Sequence, residues 1–201
     1  MSKIEVNEIV NQSGDNDSGI DLSTNDQIGF KIANASKWTL NSSGNLFPSS
    51  TSQGIVLGAP SDTSANRLDD YEEGTFTATM ANSVTLTSNY DSLSYTKVGR
   101  QVTVTGQIQI NNDNSNSATV INNLPFTHFT QSSPNEDADR AFCAVRLYNH
   151  DASNDAQFVG AFTAEGTTNL YFVNVRDNAS TVDLQADASG YLMFTITYFS
   201  T

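Results

Sequence analysis

The stretch QVTVTGQIQI, residues 101–110, alternates: Val102, Val104, Ile108 and Ile110 fall on one face, and Thr103, Thr105, Gln107 and Gln109 on the other. A period of two belongs to a strand with one buried and one wet face. GYLMFTITYF, 190–199, puts Leu192, Phe194, Ile196 and Tyr198 on one side, while Tyr191, Met193 and Phe199 load the other. A strand apolar on both faces is central or lies against a neighbouring subunit. Shorter runs (TFTATM, SLSYTKV, AFCAVRLY, QFVGAFTA, NLYFVNV, TVDLQA) lie around these two, most of them separated by turn clusters such as NNDNSNS, QSSPNEDAD, NHDASNDA and DASG. No segment sustains a helical period. The fold class expected is all-β, with residues 75–201 forming a jelly-roll-like β-sandwich of about eight strands.

Residues 1–66 read differently. Apolar fragments such as IGFKI and KWTL alternate over only three to five residues, and SGDNDSG, STND, NSSGN and GAPSDTSAN interrupt them. Strands that short cannot enclose a core within one chain, yet the segment is too apolar for a plain linker. The economical solution is an extended, intertwined β segment in which copies of the chain bury these fragments together around a cyclic axis.

Composition narrows the function. With 9 Lys+Arg against 22 Asp+Glu in 201 residues, the formal charge is −13. A phosphate-binding surface needs clustered cations, so no nucleic-acid partner is expected. No run of about 18 apolar residues occurs, so no membrane insertion is expected either. Cys143 is the single cysteine, which rules out an intrachain disulfide, and its alternation with Val145 and Leu147 in AFCAVRL makes it a buried small hydrophobe. The surface is hydroxyl- and amide-rich, as in extracellular β-proteins, while the opening MSKIEVNEIVNQSG lacks the pattern of a signal peptide. A particle assembled in a cytoplasm and released by lysis reconciles the two.

Four clusters could carry chemistry. RLDDYEEGTFTATM, 67–80, gathers Asp69, Asp70, Glu72 and Glu73 around Tyr71. A glycosidase pair converges from separate strands, whereas neighbours in sequence diverge. These residues are expected to form a hinge over 67–74, with Tyr71 and Phe76 packing, Gly74 allowing a bend, and the carboxylates facing solvent, capping amides or pairing with Arg67. DNDSGIDLSTND, 15–26, spaces Asp15, Asp17, Asp21 and Asp26 somewhat like a calcium loop, but Gly19 stands one position early and Asp26 replaces the usual glutamate. A polar turn is the expectation, with no metal and no cofactor. His128 and His150 are the only histidines, and no Gly-x-Ser-x-Gly elbow flanks a serine, so His150 with Asp151 or Asp155 makes a poor hydrolase. No catalytic residue is expected. Tyr148, His150 and Asn154 share one loop whose aromatic and amide groups suit stacking on a sugar ring, and they are the candidate receptor residues beside the loop 126–140.

The run Leu68–Thr75, the phrase Tyr95–Gly99, the pair Val102/Val104 and the phrase Leu124–Phe126 together resemble a module of tailed-phage fibre and virion-appendage proteins, common in phages of aquatic bacteria and cyanobacteria. Phe76 stands where that module usually has tryptophan and Ala78 where it has proline, and beyond about residue 130 the likeness fades. SKIEVNEIVNQSG and KWTLNSSGNLFP are similar to shaft or attachment segments in such proteins. The resemblance implies a virion structural protein, a homotrimer whose N-terminal segment meets other tail or capsid proteins and whose β-domain faces a host-surface glycan. A capsid, collar or tail decoration without a receptor role is the alternative, and a glycan-cleaving spike the lesser one.

Overall fold

The structure, a computed structural model, describes residues 5–11, 17–58, 61, 67–68, 70–131, 140–153 and 155–201. All regular structure among them is antiparallel β, without a helix. It follows that no helix there is long and apolar enough to cross a membrane. The chain divides into two compact units, Met1–Asp70 and Tyr71–Thr201. That division falls inside the 67–74 stretch.

In the first unit β1 (Glu8–Val10), β2 (Gly19–Asp21), β3 (Ile28–Ile32), β4 (Ala35–Leu40) and β5 (Leu46–Pro48) form one sheet in sequence order. β6 (Ile55–Val56) pairs with β7 (Arg67–Leu68) separately. The short strands thus pair within a single chain, because their turns are well made. Ala33 and Asn34 take φ of 52° and 57°, the left-handed pair a two-residue hairpin loop requires. After β4, the Asn41 side-chain oxygen accepts from the Ser43 and Asn45 amides, each at 3.0 Å. Among the described residues of this unit no second layer covers the sheet, and Ile9, Ile28, Phe30 and Leu46 remain exposed. Direct partners put Ile9, Ile20, Phe30, Trp38 and Pro48 in one cross-strand row, with Ile28, Leu40 and Leu46 beside it on the same face. The opposite face carries Glu8, Asp21, Thr39 and the Lys31–Glu8 ion pair, together with Phe47.

The second unit is a two-sheet sandwich. β8 (Tyr71–Thr77), β9 (Thr85–Leu86), β10 (Ser92–Val98) and β11 (Gln101–Asn112) are followed by β12 (Val120–Ile121), β13 (Phe142–Ala144) and β14 (Arg146–Tyr148). β15 (Ala156–Thr163), β16 (Leu170–Arg176), β17 (Val182–Asp183) and β18 (Tyr191–Phe199) complete it. One sheet runs β14-β18-β11-β10-β8 with β9 on β11, and the other β12-β16-β15-β13 with β17 on β16. β8, β10 and β11 lie side by side in one sheet, and β15 and β16 in the other. Runs of successive strands thus stay within one sheet, β8 to β11 in the first and β15 to β17 in the other, while β18 returns from the end of the chain to lie between β14 and β11. The residues between Phe142 and Tyr148 are an exception, since they leave the second sheet at Val145 and join the first.

The alternation in β11 and β18 is realised as burial. Val102, Val104, Ile108 and Ile110 meet Leu192, Phe194, Ile196 and Tyr198 in one core with Phe172, Leu170 and Val159 of the facing sheet. The Phe172 and Phe194 rings touch edge to face across the sandwich, 5.4 Å apart. The Tyr198 hydroxyl, deep in the core, donates to the Phe126 carbonyl at 2.9 Å, which satisfies it.

Candidate functional site

The 67–74 stretch spans the boundary between the two units, and its second half is ordinary strand. Tyr71, Glu72, Glu73, Gly74 and Phe76 all lie in β8, directly opposite Val98, Lys97, Thr96, Tyr95 and Leu93 of β10. Gly74 makes no bend and does not have a positive φ. Alternation sends Glu73 to the outer face, where it accepts from the Tyr71 hydroxyl at 2.9 Å and holds that phenol above its ordinary pKa. Tyr71 is itself exposed, while Phe76 packs against the core. Arg67 donates to the Ser52 carbonyl at 2.6 Å. Asp70 precedes the strand, and Asp69 lies outside the described residues.

The calcium-like segment is likewise dispersed. Asp21 sits in β2 and accepts from the Ser23 amide and hydroxyl, which lower its pKa, whereas Asp26 occupies a turn at φ 60°. Asp15 lies outside the described residues. Among those described, no three ligating side chains converge for a metal.

The loop residues separate into different roles. Tyr148 ends β14 with its side chain outward and the residue 60% exposed. His150 turns inward: its ring packs on Gly190, where a Cβ would meet it, and its Nδ1 lies 3.2 Å from the Asp151 carbonyl. The Asp151 amide donates to Asp187 at 2.9 Å, which fastens the loop. His150 Nε2 is buried without a hydrogen-bond partner, and burial lowers the imidazole pKa against the opposing pull of Asp187 and Asp151. His150 is therefore packed against Gly190 and does not offer its ring to solvent beside Tyr148. Asn154 lies outside the described residues, as does most of the second half of the 126–140 loop.

Two residues that loop reasoning passes over complete an aromatic surface around Tyr148. Tyr191 is its direct partner on β18, with ring centroids 5.6 Å apart. Tyr90 meets Tyr191 edge to face at 5.4 Å and is held by a turn in which its amide donates to the Thr87 carbonyl. Tyr191 had a visible signal, an aromatic on the outward face of a central strand, but Tyr90 had none. Two residues before Tyr148 on the same face of β14, Arg146 opposes Met193. Arg146 and Met193 help line an open depression of about 680 Å³ with Thr105, Gln107 and Thr195. The hydroxyls of Thr105 and Thr195 are joined at 2.7 Å. No carboxylate is among the described lining residues. The outer face thus offers stacking rings, hydroxyls, an amide and one guanidinium on rigid strands, a shallow arrangement suited to binding a polar, ring-shaped ligand.

The other sheet carries a second aromatic surface. Phe142 opposes Phe162 and packs edge to face on Phe158 at 6.0 Å, while Phe162 stacks on Tyr171 at 5.3 Å. Gly160 lies beneath the Phe142 ring, where a side chain would collide with it. All three phenylalanines are exposed.

In comparisons with known proteins, the chain matches no family model, no curated protein and no solved structure.

Proposed function

We propose that the chain is a non-enzymatic virion appendage of the tailed-phage type, made in the host cytoplasm and released by lysis. It works as a homotrimer, attached through its N-terminal unit to other tail or capsid proteins and touching host-surface glycan through its sandwich. The single-layer sheet of the first unit is the observation that carries this reading. The row Ile9–Ile20–Phe30–Trp38–Pro48 has no second layer among the described residues of its unit, and Phe30 remains 41% exposed. A layer of that kind needs a partner to bury it, and copies of the same chain around an axis supply one while leaving the Lys31–Glu8 face to water. In a chain of charge −13, copies must meet through uncharged surfaces, and this face and the Phe142–Phe158–Phe162 surface both qualify. Three weak glycan sites on one axis gain avidity without deep pockets.

Light scattering tests the assembly: a mass three times 21.7 kDa is expected, and a stable monomer overturns it. Antibody against the sandwich is expected to label the tail and block adsorption. Labelling of the capsid or collar with adsorption unchanged would replace the receptor role with that of a decoration protein.

A further inference from the structure

We infer that the outer-face depression selects acidic saccharides, with a pyranose ring stacked on Tyr148 and a carboxylate paired with Arg146; this rests on the glycan-contact reading above. The argument starts from charge. The second unit contains five cations: Lys97, Arg100, Arg140, Arg146 and Arg176. Four are engaged. Lys97 lies over the Phe126 ring, Arg100 sits 4.1 Å from the Phe129 ring and donates to the Ser200 carbonyl, Arg176 pairs with Asp155 at 3.1 Å, and Arg140 has an interaction of its own. Arg146 alone has no hydrogen-bond, ion-pair or ring partner among the described residues.

In a chain with 22 carboxylates, an arginine held on a strand without an acidic neighbour among the described residues leaves an unneutralised guanidinium facing the depression. Its planar fork matches a carboxylate in bidentate fashion, which a lysine would not reproduce. Arg146 and Tyr148 are two residues apart on one face, about 7 Å along the strand. That is the reach from a stacked sugar ring to the carboxylate it or its neighbour carries. Gln107, Thr105 and Thr195 supply amide and hydroxyl partners for ring hydroxyls between them. The protein's negative charge repels polyanions at long range, so only an acid whose ring also stacks is retained.

The test uses the full chain and a panel of oligosaccharides (oligogalacturonate, oligomannuronate and oligosialate), each beside its carboxyl-reduced neutral form, with oligoglutamate as a charge control. Calorimetric titration is expected to show at least one acidic oligomer binding tenfold or more tighter than its neutral form. Arg146→Gln is expected to erase that difference, Arg146→Lys to restore part of it, and Tyr148→Ala to weaken acidic and neutral forms alike. Equal affinity for acidic and neutral forms, or an Arg146→Gln variant with unchanged preference, overturns the acidic assignment while leaving glycan contact standing. Oligoglutamate binding as tightly as the best saccharide overturns it as well, because charge alone would then suffice. Silence towards every saccharide, with adsorption unaffected by antibody, overturns this inference and the glycan-contact reading together.

Discussion

The ring of Tyr95 occupies the space above Gly74, so that a Cβ on that glycine would stand 3.1 Å from the Tyr95 hydroxyl oxygen and 3.2 Å from two ring carbons. The two are direct partners across β8 and β10. Tyr95 in turn meets Phe126 edge to face at 5.5 Å and Phe76 at 6.5 Å. Three phrases far apart in sequence, around Gly74, Tyr95 and Phe126, therefore converge on one packed corner. Gly74→Val puts two methyl groups into that contact. The expected cost is about 1–3 kcal/mol, read as a lower urea midpoint for the sandwich, with loss of near-ultraviolet aromatic signal. An unchanged midpoint would mean that Tyr95 moves aside freely.

The same corner is tied from the opposite side by Tyr198. Tyr198→Phe removes its hydrogen bond to the Phe126 carbonyl while leaving the ring and its edge-to-face contact with His128 in place. Destabilisation of about 1 kcal/mol is expected, the ordinary net worth of one such bond. The measurement is a paired denaturant titration.

These contacts show what was legible in the sequence. Period-two alternation named the buried residues of β11 and β18 correctly, because one-sided burial imposes its own pattern on the chain. Gly74 was read as a bend, since a glycine among carboxylates advertises flexibility; its actual constraint is a ring arriving from another strand, which local sequence does not encode. Loop chemistry singles out Tyr148, but the contact of Tyr90 with Tyr191 beside it depends on the register between β11, β18 and a distant turn. Arg146 stands out only through what does not surround it. The short strands of the first unit were recognised, yet their pairing within one chain turned on Ala33, an unexpected residue for a left-handed turn.

Acid should loosen the loop behind Tyr148. Burial holds the His150 pKa below its ordinary value of 6.5, so the unfolded chain binds more protons than the folded one between the two values. Stability contributed by neutral His150 is therefore full above the unfolded value and is lost as pH falls through the folded one. Comparing melting at about pH 7.5 and about pH 5.5, His150→Leu is expected to show a smaller drop than the native protein. An equal drop would place the pH dependence elsewhere.

Cys143 gives a direct probe of the sandwich edge. Desolvation pushes its thiol up to about 11, so almost no thiolate exists in the folded state at mildly alkaline pH. Alkylation of the native protein should run on the order of a hundredfold slower than in denaturant, because the thiolate is the reactive form. Mass spectrometry should find a single adduct after unfolding and little before. Rapid labelling of the native protein would mean that the pairing of Cys143 with Ala161 opens readily.

The apolar face of the first unit makes the strongest demand on assembly. Phe30 lies at the centre of the row, between Ile20 and Trp38. Burying a side chain of that size is worth about 1.5–3 kcal/mol per copy, whereas an unpaired carboxylate there would have to be desolvated at considerable cost. Phe30→Glu is therefore expected to convert a trimer into a species of about 21.7 kDa by light scattering, with the sandwich's own unfolding transition unchanged. Phe47→Glu, on the opposite face of the same sheet, serves as the control and should leave the mass at three copies. If both variants remain trimeric, chain association does not use this face. If both become monomeric, the sheet itself has unfolded, and Phe30→Ser, which removes the ring without adding charge, then decides between loss of contact and loss of fold through the far-ultraviolet spectrum.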